Sequence, residues 1–257
     1  MAAVSTPLWR LSERQLGVLT YPAFSRGEAL RRVVELSLLG VEGLAFEGRA
    51  EVAGVRVVAK GTVGIVVKGV WAGRTVAVKV RRLDANRPSL LQEAEGLRLA
   101  NSVGVGPRLQ AASRNFLVWE YVEGRPVEEW GLSAPLEELG AVVKELLRQA
   151  LALDRVGLAH MELSRLGDHV LVTPQLRVVI FDFETASTSS RKSNVTQVAQ
   201  GLLIRDTPLA ARVRQALGVT KEEALEILRE YKATRRGEAL APLLQCCLLY
   251  TSPSPRD

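Results

Sequence analysis

The only two histidines of the chain, His160 and His169, fall in one short segment, GLAHMELSRLGDHVLVTPQLRVVIFDFETAS. The same segment carries Glu162, Arg165, Asp182 and Glu184. Asp182 follows the apolar run VVIF, which puts its carboxylate at a strand end. Carboxylate oxygens suit a hard divalent cation such as magnesium. Glu162 is a carboxylate that can accept a hydroxyl proton, as a general base does. An acid two residues after a histidine, a short loop, a metal-binding side chain and then Asp-Phe at a strand end is an arrangement used for phosphoryl transfer. Here it reads His160-Met161-Glu162, then His169, then Asp182-Phe183-Glu184.

A phosphate-holding half is legible further upstream. In AKGTVGIVVKG, Gly61 and Gly64 stand at a turn between two strands, where bare backbone can approach phosphate oxygens. Two such glycines also read as an ordinary hairpin turn. AVKV follows, with Lys79 between Val78 and Val80. A glycine loop followed by a strand lysine is the kinase pattern, in which the ammonium holds the α- and β-phosphates. A buried lysine needs a carboxylate to stay charged and oriented. The helical run LLQEAEGLRLAN offers Glu93 and Glu95, and Glu93 borders the apolar stripe of Leu90, Ala94 and Leu97. Glu93 is therefore the expected partner. An apolar strand then runs into Glu120, Tyr121, Val122, Glu123 and Gly124, a segment whose backbone would pair with an adenine edge, with Trp119 behind it.

These residues need elements to hold them. Residues 1–45 read as a helical extension, with Ser25 and Glu28 forming a capping box before EALRRVVELSLLGV. Leu30, Val33, Val34, Leu36 and Leu38 mark the expected packed face of that helix. The β-branched, glycine-punctuated stretch after it predicts strands near 55–59, 63–70 and 74–81. Ser89 and Gln92 open the next helix, to about Asn101, and two further strands are expected near 108–112 and 115–121. After Gly124 the pattern turns helical, with Ser133 as the cap of a long core helix. Two short strands follow at 169–173 and 177–183; Asn194 with Gln197 and Thr220 with Glu223 open later helices. The expected fold class is α+β and bilobed, protein-kinase-like: a β-rich N-lobe with one helix at 46–122 and an α-rich C-lobe at 123–246.

Of 257 residues, 47% are hydrophobic and only 5% aromatic, so the core must be aliphatic. The formal net charge of +6 favours anionic partners: nucleotides, RNA or ribonucleoprotein surfaces. A solvated, arginine-rich surface explains the same number. The two cysteines, Cys246 and Cys247, are adjacent, which gives no disulfide framework and fits a reducing cytoplasm. The first residues lack a signal-peptide core, and no apolar run approaches the ~18 residues of a membrane span. CLLYTSPSPRD, from Cys247 to Asp257, matches a translated sequencing adapter and is set apart as an artefact, with the natural end expected near Cys246.

Together the stretches KGTVGIVV, RRLDANR, EAEGLRLAN, GVGP, RNFLVWEYVEG, DFETAS and SNVTQ resemble an archaeal family of predicted serine/threonine kinases. That family is distantly similar to the RIO kinases and to the small kinase of the tRNA threonylcarbamoylation complex. The resemblance runs from about Tyr21 to Arg205 and implies an atypical serine/threonine protein kinase that uses ATP and magnesium on a protein substrate. By this match Gly61, Thr62, Gly64, Val66, Ala77, Lys79, Glu93, Glu120 and Val122 bind the nucleotide. Glu162, Lys79, Arg165 and His160 serve catalysis, with Arg165 in the role of the loop lysine beside the γ-phosphate. Asp182, His169 and Glu184 hold metal.

Three positions depart from the pattern. Glu162 fills the catalytic aspartate position and shifts its carboxylate by more than ~1 Å. His169 replaces the asparagine ligand, and imidazole is a poor magnesium ligand, which brings in manganese or a single metal. Glu184 replaces a glycine and adds a carboxylate. The segment from Asp182 to Asn194 is short for a peptide-docking platform, and Ser187 to Ser190 with Ser193 read as a polar loop. The alternatives are a small-molecule kinase or ATPase of the same fold, or a catalytically weak ATP-binding module associated with RNA or ribosomes.

Overall fold

A computed structural model describes residues 5–245. Both cysteines that bear on the redox reading, and the adapter-like run, lie outside the described residues. The chain is mixed α+β with an antiparallel main sheet. It divides into two compact units. The first takes the described residues up to Ser102, then Gly106–Val122 and Asp182–Glu184; the second takes Val103–Val105, Glu123–Phe181 and Thr185 onward.

The first unit is built on strands β1 (Thr6–Pro7), β2 (Val41–Ala45), β3 (Ala50–Val52), β4 (Val55–Val57), β5 (Ala59–Lys60), β6 (Gly64–Trp71), β7 (Arg74–Arg81), β8 (Leu109–Ala112) and β9 (Phe116–Glu120). The main sheet runs β1-β2-β6-β7-β9-β8, with β5 also on β6. Ala72 and Gly73 both adopt positive φ, +47° and +70°, between the paired residues Trp71 and Arg74. That is the two-residue turn whose twist matches its flanking strands. One face of the sheet carries Ile65, Val67, Val76, Val78, Val80, Phe116 and Val118, all buried. Helices α1 (Glu13–Leu19) and α2 (Arg26–Leu38) cover it through Val18, Leu19 and Leu36.

Two expectations for residues 1–45 are corrected here. The segment is helical over α1 and α2 but is not an extension: β2 lies inside the sheet between β1 and β6. The packed face of α2 is only partly the expected one: Leu36 is buried and Val33 packs against the core. Leu30, Val34 and Leu38 are exposed, and the buried residues are Ala29, Arg32 and Leu36. Arg32 turns inward because its donors are satisfied there. Its guanidinium donates to the carbonyls of Leu19 at 2.5 Å and Arg81 at 2.6 Å, to Glu28 at 3.1 Å and to Asn115 Oδ1 at 3.3 Å. A buried charge is tolerated when it is paired and hydrogen-bonded in this way. Ser25 caps α2 by accepting from the Glu28 N–H at 3.4 Å.

Helix α3 (Leu91–Ser102) packs Ala94, with Leu90 before it, against Val63 and Leu117. Ser89 Oγ accepts from the Leu91 N–H at 3.1 Å and opens the helix.

The second unit holds a small sheet, β10 (Arg125–Pro126), β11 (Val170–Val172) and β12 (Val178–Ile180). Its helices are α4 (Val127–Gly131), α5 (Leu136–Arg155), α6 (Leu166–His169), α7 (Asn194–Ala199), α8 (Pro208–Leu217), α9 (Lys221–Thr234) and α10 (Ala241–Leu244). The core is α5, which buries Leu139, Val143, Leu146, Leu147, Ala150 and Leu153 against α7 and α8. Ser133 does not cap it; the helix begins after Pro135, and the Ser133 N–H closes the preceding turn on the Trp130 carbonyl at 3.2 Å. At α7 the cap is Ser193, one residue before Asn194, and Ser193 Oγ accepts from the Thr196 N–H at 3.2 Å. Thr220 and Glu223 form a reciprocal capping box at α9. Among the described residues no helix is long and apolar enough to cross a membrane.

Candidate functional site

Lys79 sits in β7 opposite Val66 of β6 and Leu117 of β9. Directly paired residues share a face, so Gly64, Val66, Ala77, Lys79 and Trp119 lie together on the face opposite the α1–α2 core. Four of the residues expected to touch a nucleotide are therefore brought onto one surface by register alone. Gly64 is held to glycine by that arrangement: a Cβ there would meet Lys79 Cγ at 2.8 Å, Lys79 Cε at 3.0 Å and the Val80 carbonyl at 3.1 Å. Gly61 and Thr62 are exposed at the β5–β6 turn, where the Gly61 N–H donates to the Gly64 carbonyl at 2.8 Å. Glu120 and Val122 are partly buried at the end of β9; the Glu120 N–H donates to the Arg108 carbonyl at 2.9 Å.

The Lys79 ammonium, 8% exposed, is the centre of an ion cluster. It donates to Glu93 Oε1 and Oε2 at 2.9 and 2.8 Å and to Glu184 Oε2 at 2.9 Å, with Asp182 Oδ1 at 3.6 Å. Glu95 is exposed on the other side of α3. Burial disfavours the charged form of Lys79, but the charges of Glu93, Asp182 and Glu184 outweigh it and hold the amine above its ordinary range. Burial pushes the Glu93 carboxyl above its ordinary value; Lys79 opposes this, and the neighbouring Asp182 and Glu184 add to it. Arg87 is the second cation. Its guanidinium donates to the Glu184 carbonyl, and its Nε lies 3.8 Å from Glu184 Oε1. Among the described residues, the ion pairs of this cluster set three carboxylates against two cations. Arg87 was not legible as a member; it stands in an irregular run with no periodicity to aim it.

Asp182 and Glu184 present carboxylate oxygens, the ligand type magnesium takes when one or two carboxylates hold it and phosphates complete its shell. Among the described residues no group of three His, Cys, Asp or Glu side chains could hold a metal on its own. His169 is the third expected ligand. Its ring is buried in the second unit, edge-on to His160 with centroids 5.2 Å apart and tilted against Phe181.

The remaining residues belong to the second unit. His160 is fully buried: its ring Nε2 is 2.9 Å from the Phe181 carbonyl, and its N–H donates to Asn194 Oδ1 at 2.8 Å. The Asn194 amide donates to Asp154 Oδ1 at 2.8 Å and to the Leu158 carbonyl at 2.7 Å, which fixes the loop that carries Glu162. Glu162 accepts from the Thr185 hydroxyl at 3.1 Å and pairs with Arg165 through its other oxygen. Arg165 is over half exposed and turned onto Glu162. Asn194 and Thr185 were missed as site residues. Asn194 was read as the start of a helix, and nothing in the spacing of Thr185 points to Glu162.

Met161 and Asp182, beside or within the two acidic motifs, both adopt positive φ, +77° and +66°. Such conformations cost of order 1–3 kcal/mol for residues other than glycine and concentrate at functional sites.

No family model matches the chain, and a search of curated proteins finds no match.

Proposed function

We propose that this chain is an atypical, metal-dependent serine/threonine protein kinase, RIO-like, that transfers the ATP γ-phosphoryl group to a protein hydroxyl. In this reading the two units are the N-lobe and C-lobe of a protein-kinase-like fold. The observation that carries it is the Lys79 ammonium, buried in a strand and shared between Glu93 of the adjacent helix and the carboxylates of Asp182 and Glu184. A structural lysine needs one partner. Three carboxylates set against the Lys79 ammonium and the Arg87 guanidinium leave negative charge for a divalent cation to neutralise.

Glu93 keeps the ammonium aimed across the face that bears Gly64, Val66 and Ala77, where it would hold the α- and β-phosphates. Asp182 and Glu184 would hold magnesium, or manganese, which neutralises charge on the transferring phosphoryl group when bound. Gly64 leaves room for the lysine stem and for close approach of backbone to phosphate. Glu162 would orient the substrate hydroxyl and accept its proton. Arg165 would have to leave Glu162 to reach a phosphate, and His160 holds the loop by its contacts with Phe181 and Asn194.

A second reading is an ATP-binding protein of weak turnover. It is favoured by Glu162, which already has partners on both oxygens. Incubation with γ-labelled ATP and magnesium or manganese separates the two. Labelled protein supports the kinase, free phosphate alone supports an ATPase, and nucleotide binding without turnover supports the second reading. Asp182→Ala is the control, and activity that survives it defeats the metal assignment.

A further inference from the structure

The second unit contains two adjoining cavities that the phosphoryl-transfer reading does not use. The first, about 360 Å³, is walled by Arg155 at the end of α5, by Ser190, Arg191 and Lys192, and by Tyr231 and Arg235 at the end of α9. The second, about 540 Å³, shares Ser190, Arg191, Lys192 and Arg235 and adds Lys232, Ser164, Thr196, Gln197 and Gln200. Five cations thus face the two cavities, and among the described residues none of the five forms an ion pair.

Among the described residues the only acid in either wall is Asp154, and its carboxylate is committed inward. It accepts from Ser193 Oγ at 2.6 Å, the Asn194 N–H at 2.7 Å, the Asn194 amide at 2.8 Å and the Tyr231 hydroxyl at 2.8 Å. The cationic wall is held in shape by backbone contacts. The Arg235 guanidinium donates to the Arg191 carbonyl at 2.8 Å, and the Lys192 N–H donates to Ser190 Oγ at 3.2 Å. Like charges gathered at one concavity repel each other until an anion joins them. The planar forks of Arg155, Arg191 and Arg235 match phosphate oxygens.

We propose that these two cavities form a recognition site for a phosphorylated peptide. Four cations converge on the smaller cavity, which suits the doubly charged phosphomonoester of a phosphoserine or phosphothreonine. The larger cavity offers the amides of Gln197 and Gln200 and the hydroxyl of Ser164, groups that pair with peptide N–H and C=O. Nucleic acid is the less suitable occupant, because single strands are gripped by stacking on aromatic faces. Among the described residues the one aromatic in either wall, Tyr231, is 1% exposed and bound to Asp154.

The test is fluorescence anisotropy on the full chain without nucleotide or metal, so that it is independent of the kinase reading. The probes are a labelled 12-residue peptide of alanine and glycine with one central phosphoserine, the same peptide with serine, and a labelled uridine 12-mer RNA. The phosphopeptide should bind roughly tenfold or more tightly than the serine peptide, with inorganic phosphate competing. Arg191→Ala with Arg235→Ala should bring it down to the level of the serine peptide. Lys192→Ala should weaken it by several-fold. These side chains are exposed, so a retained circular dichroism spectrum is expected in each variant. Equal binding of the two peptides, undiminished binding by the double variant, or tighter binding of the RNA would overturn the proposal.

Discussion

Replacing Lys79 by methionine preserves most of the side-chain stem and removes the ammonium that three carboxylates share. Lys79 and Glu93 are 8% and 6% exposed, so the pair is removed from water. Deleting one partner of such a pair costs about 3–5 kcal/mol, because the other charge is left buried without compensation. Glu93, already pushed above the ordinary glutamate value of 4.5 by burial, must rise further once its cation is gone. The folded variant then binds a proton that its unfolded chain releases near pH 4.5. By linkage its stability falls as pH rises through that interval, so its deficit against the parent should be smaller at pH 5 than at pH 8. Adding Glu93→Gln removes the stranded charge and should restore about half or more of the loss. Urea unfolding of the parent, both single variants and the double variant at the two pH values measures all of this. A cost below about 1 kcal/mol for Lys79→Met, or a double variant no more stable than that single one, would refute the buried-pair reasoning.

Gly64→Ala forces a methyl to within 2.8 Å of the Lys79 stem and should cost about 1–3 kcal/mol of stability while raising the KM for ATP; unchanged steady-state kinetics would show that the stem can move aside freely. Glu162→Gln keeps the size of the side chain and removes its basicity, so kcat should fall by about 10²–10⁴ with the KM for ATP unchanged; an unaltered kcat would take Glu162 out of proton transfer. Tyr231 is held above the ordinary tyrosine value of 10.0 by burial and by Asp154. The stability this contributes is full below pH 10.0 and is lost as pH rises through the raised value, so ultraviolet titration should show one tyrosine ionising late, absent in Tyr231→Phe.

The sheet face bearing Lys79, proposed to hold phosphates, was legible because strand periodicity fixes it. Once β6 and β7 pair, Gly64, Val66, Ala77 and Lys79 must share a side, and Glu93 follows from the apolar stripe of α3. Elements opened by a serine or threonine at the helix start were also readable, as at Ser25 and Thr220. What failed were positions decided by distant partners. Arg32 lies on the buried face of α2, where the carbonyls of Leu19 and Arg81 satisfy it. That placement puts Leu30, Val34 and Leu38 on the surface. Asn194 was read as the opening residue of a helix, but its amide is used by Asp154, Leu158 and His160, which lie far back in the chain. The basic cavities were invisible for the same reason: Arg155, Arg191 and Arg235 meet only through the packing of α5 and α9 with the loop before α7.

The most direct test of the proposed nucleotide site is chemical labelling of Lys79, the amine that would lie beside the phosphates. An acyl-phosphate derivative of ATP, which transfers its acyl group to a nearby lysine, is incubated with the chain and magnesium, and the modified residue is located by mass spectrometry. Lys79 should be the principal labelled lysine, and excess unmodified ATP should protect it. Label spread over exposed lysines, with Lys79 unmodified and no protection by ATP, would contradict the assignment.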